Sequence, residues 1–227
     1  MTDDTMKDET KESDTLDLRL KKLKCIDDYI GGMANIKRLY LNENKLRHLP
    51  DSIGDLINLE HLDLNGNMLV SLPDSIGKLT NIKELDIGDN RLRFLPDSME
   101  NLINLEDLIL HINELERLPD NIGKLTNIKS LYLHENELTH LPDSIGDLIN
   151  LEYLDLSENE LEKLPDNIGE MLSIKELDLN NNELTHLPDS MRNLIDLEYL
   201  NLIGNGLNIL SNDILRLTKL TGLIIRI

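Results

Sequence analysis

Residues 49–67, "LPDSIGDLINLEHLDLNGN", hold leucine or isoleucine at nearly every third place and close on one Leu-x-Leu pair, Leu62-x-Leu64. Neither a long amphipathic helix nor a single strand spaces its apolar residues in this way. The same letters return 23 residues later with changes at only some positions. A fixed period of this size marks an array of stacked units.

Three ladders carry the period along the chain. All seven prolines, Pro50, Pro73, Pro96, Pro119, Pro142, Pro165 and Pro188, form the first. The second runs from Asn44, Asn67 and Asn90 through Asn113, Asn136, Asn159 and Asn182 to Asn205. Leu39-x-Leu41, Leu62-x-Leu64 and Leu85-x-Ile87 start the third, which reaches Leu200-x-Leu202. No insertion or deletion interrupts them. An earlier copy begins at Leu16-x-Leu18, with Lys21 and Asp27 where Asn and Pro would stand. At the far end Ser211 replaces Pro, and Leu223-x-Ile225 opens a unit that stops at Ile227. The expected division is an acidic, disordered tail over 1–14 and one array over 15–227. Within the array a degenerate copy (16–38) precedes regular repeats (39–222) and a partial last one (223–227).

Leu-x-Leu alternates with period two, so it predicts a short strand with both leucines turned inward. The Asn follows where the chain leaves the strand, and its amide can bond an N–H and a C=O that a leucine core could not satisfy. Leu-Pro and the following "DSIG" form the return path, with Pro fixing φ and removing a donor. Gly54, Gly77, Gly123, Gly146 and Gly169 follow the Ile of that segment. Glu100 and Arg192 take the equivalent places, so a glycine-only backbone is not required there.

The pattern "LxxLxLxxNxLxxLPxxIGxLxNL" resembles the 23-residue leucine-rich repeat over 16–227. By its Leu-Pro-x-x-Ile segment it is most similar to intracellular Ras-group and Shoc-type repeat proteins; bacterial and viral chains have similar repeats. The resemblance implies an α/β solenoid, a horseshoe with a parallel sheet on its concave face and short helical or irregular segments on the convex side. It also implies a protein that binds other proteins.

A longer period is present too. "INLE" at 57–60, 103–106 and 149–152 alternates with "TNIK" at 80–83 and 126–129 and with "LSIK" at 172–175, as if pairs of repeats had been copied. One column alternates in charge accordingly, Lys37, Glu60, Lys83, Glu106, Lys129, Glu152, Lys175, Glu198. Each like charge is separated by an opposite one, and a structural role is expected.

Composition narrows the function. The net charge is −20, from 23 basic and 43 acidic residues, leaving no surplus of cations for nucleic acid or an anionic membrane. Aromatics are 3% of the chain, with no Trp and one Phe, so Leu and Ile carry the core. The lone Cys25 cannot form an internal disulfide, and the polar, acidic start is no secretory signal. A cytoplasmic protein is expected.

The strand residues that flank the inward leucines face the concave surface, and they vary. Ile109, His111, Tyr132, His134 and Tyr153 fall on three successive central strands, where a water-facing sheet is normally polar. Glu84, Asp86, Asp107, Asp155, Glu176 and Asp178 surround them, and Tyr199 lies beyond. These twelve are the candidate partner-binding residues, for a protein with a basic or mixed surface. His111 and His134 share a column, yet only Asp155 offers a further donor, so neither metal nor cofactor is expected. There is no Ser/His/Asp order on a strained turn, no phosphate loop and no zinc-type Cys/His spacing. The chain reads as a non-enzymatic scaffold or adaptor. The alternatives are a targeting subunit for a separate enzyme, such as a ubiquitin ligase or phosphatase assembly, or a pathogen or viral host-interaction factor. At the C-terminal end Leu223 and Ile225 are expected to point inward and Ile224 outward. That would leave an open edge suited to a homodimer, unless the array continues.

Overall fold

The structure is a computed structural model, which describes residues 14–207 and 224–226. Among the described residues, each site of the Leu-x-Leu ladder forms a three-residue strand. In chain order these are β1 (Thr15–Asp17), β2 (Arg38–Tyr40), β3 (His61–Asp63), β4 (Glu84–Asp86), β5 (Asp107–Ile109), β6 (Ser130–Tyr132), β7 (Tyr153–Asp155), β8 (Glu176–Asp178), β9 (Tyr199–Asn201) and β10 (Ile224–Arg226). They make one parallel sheet in sequence order. From β1 to β9 each residue pairs with the one 23 places on, as in Leu85↔Leu108 and Leu108↔Leu131. The fold is therefore the expected horseshoe-like α/β solenoid, each repeat covering the leucines of the last.

The return segments form short 3-10 helices such as Asp51–Asp55 and Asp143–Asp147, entered through a proline at φ −70 (Pro50) or −68 (Pro142). Between sheet and helices lies one continuous core of leucine, isoleucine and methionine, most of it without solvent contact.

The asparagine ladder closes the turn after each strand. Asn136 accepts from Leu115 N–H at 3.0 Å and donates to Leu110 O and Leu133 O, each at 3.0 Å. Leu115 and Leu110 belong to the preceding repeat, so the side chain bonds across repeats as well as within its own turn. The residue before each Asn is left-handed: φ is 57° at Glu43, 65° at Gly66, 52° at Ile112 and 74° at Gly204. A second ladder crosses the convex edge, where Asn58, Asn81, Asn104, Asn127 and Asn150 donate to the carbonyls of Ala34, Ile57, Thr80, Ile103 and Thr126.

The return-path glycines have a packing reason that backbone freedom alone does not reveal. A Cβ on Gly54 would lie 2.3 Å from Ser75 O of the next repeat, and one on Gly169 2.2 Å from Ser190 O. Where Glu100 takes that place, the next 3-10 helix is confined to Ile122–Lys124, and Glu100 Oε2 accepts from Asn121 Nδ2 at 2.8 Å. Asp120 and Asn121, helical at the equivalent places of other repeats, form a turn there.

Two expectations about the ends change. Residues 1–13 of the expected tail lie outside the described residues, but Asp14 O accepts from Lys37 N–H (2.6 Å) and Arg38 N–H (3.0 Å), and its carboxylate pairs with Arg38. Asp14 thus begins the array. At β10 the register is not the expected one: Ile224 pairs with Tyr199 and Ile225 with Leu200, 25 residues apart, where a 23-residue repeat would set Gly222 and Leu223. Leu202 N–H accordingly donates to Arg226 O. A shift of two residues preserves alternation, so Ile225 still turns to the core and Ile224 outward. Leu223 lies outside the described residues.

Candidate protein-binding site

The concave face is built by the outward residues of the strands, held in register by the buried leucines between them. On it the central residues meet. The rings of Tyr132 and Tyr153, on adjacent strands, lie 4.8 Å apart at 37°. Those of His111 and His134, just past β5 and β6, stack at 4.7 Å and 27°. Ile109 pairs with Tyr132 across β5 and β6. The missing side chain of Gly88 makes room for this stack, since a Cβ there would lie 2.5 Å from His111 Cε1. All five cluster residues are half-buried, which makes them firm and still open to a partner.

The acidic residues divide into two kinds. Glu84, Asp107 and Glu176 begin their strands, and Glu84 Oε2 lies 2.9 Å from His61 Nδ1. Asp86, Asp155 and Asp178 each turn one carboxylate oxygen back onto the strand exit, accepting from the N–H two residues on: Gly88 (2.9 Å), Ser157 (3.0 Å) and Asn180 (3.0 Å). Asp155 Oδ2 also lies 3.1 Å from His134 Nδ1. Asp17 and Asp63 make the same turn bond, so this column closes strand exits as well as colouring the surface. The signal was present as Asp-x-Asn, Asp-x-Gly and Asp-x-Ser at fixed spacing.

Electrostatics follow from this crowding. Burial, then the negative field of Asp155, pushes the Tyr153 phenol up to about 12. Burial likewise raises the Asp63 carboxyl, against the pull of the Asn65 N–H. Tyr199 stands apart from the central cluster, with the guanidinium of Arg226 5.6 Å from its ring centre. Among the described residues no group of three metal-ligating side chains comes together. The alternating column pairs as expected: Glu60 lies 2.9 Å from Lys37 and 2.8 Å from Lys83, and their hydrogen bonds, Lys83 first, lower its carboxyl to about 2.

A family model for the leucine-rich repeat region matches residues 15–118 and 116–227. The chain belongs to the leucine-rich repeat family. Among solved structures, the leucine-rich repeat domain of the type III effector XopL is 30% identical, with a TM-score of 0.88, covering 99% of this chain and 79% of that one. A leucine-rich repeat protein of Leptospira interrogans is 32% identical, with a TM-score of 0.71 over 93% of this chain and 60% of its own. The ectodomain of the Arabidopsis thaliana membrane receptor kinase GASSHO1/SCHENGEN3, solved in complex with CASPARIAN STRIP INTEGRITY FACTOR 2, is 30% identical with a TM-score of 0.79. That match covers 92% of this chain and 26% of the receptor's. This leucine-rich repeat chain therefore spans less than two thirds of two of these three relatives. A comparison with curated protein sequences finds no match. No helix among the described residues is long and apolar enough to cross a membrane.

Proposed function

We propose that this leucine-rich repeat protein is a non-enzymatic scaffold or adaptor that binds a protein partner on its concave face. The carrying observation is the set of Ile109, His111, Tyr132, His134 and Tyr153 at the centre of the concave sheet, where the histidine rings stack, the tyrosine rings pair and Ile109 faces Tyr132 in register. Paired aromatic rings of this kind give large contact area at low ordering cost. Glu84, Asp107 and Glu176 add a negative rim, which fits a basic or mixed partner surface, and a cytoplasmic setting accords with the single exposed Cys25. The complexed plant ectodomain among the relatives supports a protein ligand as the class. A second reading, a host-interaction factor, is favoured by the likeness to the XopL repeat domain.

Affinity capture with the wild type beside a Tyr132→Ala/Tyr153→Ala variant tests the proposal. Both rings lie on the outer side of the sheet, so the variant should keep its fold while losing the partner, and binding to the wild type should weaken with added salt. A partner retained by the double variant, or lost only on substitution of the convex Ile103 and Ile149, would place the site elsewhere.

A further inference from the structure

Between each ladder Asn and the following Leu-Pro, the chain crosses one flank of the solenoid. These crossings stack in register: Lys45 N–H donates to Leu23 O, Arg91 to Leu69 O, Glu114 to Leu92 O and Glu160 to Leu138 O. Residues one and three places past the ladder position therefore form two outward columns on this flank.

Their charges are sorted by position along the array. The first half presents Lys22, Lys24, Lys45, Arg47, Arg91 and Arg93, with Met68 and Val70 as one neutral rung and no acid. The second half presents Glu114, Glu116, Glu137, Glu160, Glu162 and Glu183, with threonines at 139 and 185 and no base. Nearly all of these side chains are exposed, Met68 and Glu116 partly. Glu114, Glu137, Glu160 and Glu183 stand on four successive rungs of a single column. Like charges on neighbouring rungs destabilise the chain that carries them. The Lys37–Glu198 column shows the opposite arrangement, where each charge neutralises its neighbour. At the junction of the halves, the one place in these columns where opposite charges adjoin, Arg93 and Glu116 do form an ion pair.

We propose that this flank is a self-complementary interface on which a second copy of the chain docks antiparallel. A two-fold axis lying in the flank, between the fourth and fifth rungs, carries each basic rung onto an acidic rung of the partner. It sets Lys45 against Glu160, Arg47 against Glu162 and Arg91 against Glu114, each pair occurring twice, as an isologous contact requires. The same operation sets Phe94 opposite Arg117. Within one chain the Arg117 guanidinium already lies 5.4 Å from the Phe94 ring centre, so the two chemistries are compatible. The net charge of −20 opposes association, but distant charges are screened beyond about 8 Å at physiological ionic strength, whereas contacting pairs are not. The concave faces stay open in such a dimer, so it is independent of the partner-binding reading.

Charge reversal decides it, read by sedimentation velocity over about 1–100 µM, the range in which so narrow an interface dissociates. The wild type should dimerise at physiological ionic strength and dissociate at about 1 M salt. Lys45→Glu/Arg47→Glu/Arg91→Glu and Glu114→Lys/Glu160→Lys/Glu162→Lys should each be monomeric, with circular dichroism confirming the fold. Mixed one to one, the two variants should again dimerise, because both sets of pairs become complementary. A monomeric wild type overturns the proposal, as does a mixture that stays monomeric. Dimerisation that survives either reversal also overturns it and points to the edge of β10 instead.

Discussion

The asparagine ladder predicts a pattern of coupling rather than only a loss of stability. Asn136→Ala removes four hydrogen bonds, the longest to His134 O at 3.4 Å, yet it leaves only one group without any partner, since His134 O keeps the Ile112 N–H. Leu115 N–H bonds nothing but Asn136 Oδ1. Leu110 O keeps Asn113 Nδ2 (3.1 Å), and Leu133 O keeps Asn159 Nδ2 (2.9 Å). One orphaned donor costs about 1–3 kcal/mol and two weakened carbonyls roughly 0.5–1 kcal/mol each, so the single variant should lose about 2–5 kcal/mol. In Asn136→Ala/Asn159→Ala the carbonyl of Leu133 loses both donors. The pair should then be worse than the sum of its parts by about 1–2 kcal/mol. Asn90 serves Leu64 O, Ile87 O and Leu69 N–H, none of which Asn136 touches. Asn90→Ala/Asn136→Ala should therefore be additive to within about 0.5 kcal/mol. Urea unfolding followed by circular dichroism gives both cycles, and exchange of the Leu115 amide gives the local loss. Equal coupling in the adjacent and the distant pair would refute the shared-carbonyl account.

Ile112 is β-branched and left-handed at φ 52°, where Gly66 and Gly204 hold the equivalent places. Ile112→Gly relieves about 1–2 kcal/mol of strain against less than about 1 kcal/mol of added unfolded-state freedom, so thermal melting should show a small net gain. No gain would mean that the exposed side chain contributes packing. For Tyr153 the folded-state value of about 12 exceeds its ordinary 10.0, so the neutral phenol is favoured in the folded chain. Its contribution is complete below pH 10 and is lost as pH rises toward 12. Tyr153→Phe should flatten the fall in melting temperature across that window and leave the acid limb unchanged; an unaltered alkaline limb would contradict the burial that raises the phenol.

The fold was legible because each consensus letter answers a local demand that does not depend on its neighbours. Leu-x-Leu must alternate, the turn needs an amide, and Leu-Pro must leave the sheet. The concave columns could be read off for the same reason, since period two fixes which residues face out. The register of β10 was not legible, because a shift of two residues leaves the in-and-out pattern of Ile224 and Ile225 intact. The Asp turn bonds and the contact of Gly54 with Ser75 O depend on backbone distances that spacing does not supply. The second asparagine ladder was different. Asn58, Asn81, Asn104, Asn127 and Asn150 stood inside the quoted "INLE" and "TNIK" segments, and only their bonds to carbonyls of the preceding repeat went unread.

The copying history bears on which outward charges carry information. Growth by pairs of repeats stamps a 46-residue alternation on every column it touches, as in Lys37, Glu60, Lys83 and Glu106 or Ile57, Thr80, Ile103 and Thr126. The flank column does not alternate. It reads Lys22, Lys45, Met68, Arg91 and then Glu114, Glu137, Glu160, Glu183, a block pattern that pairwise copying cannot produce. Those residues do not follow the pairwise template, and their blocks raise repulsion within each half. Stability of a single chain does not account for that arrangement, because alternation, as in the Lys37–Glu198 column, pairs each charge with an opposite one. Most of the concave cluster departs in the same way: Ile109 and Tyr132 have no counterpart 46 residues away in either direction, where Asp63, Asp155, Asp86 and Asp178 stand, whereas Tyr153 keeps one in Tyr199. The two surfaces proposed for binding are thus those in which the array has departed from its own template, while the columns that kept the template serve the fold.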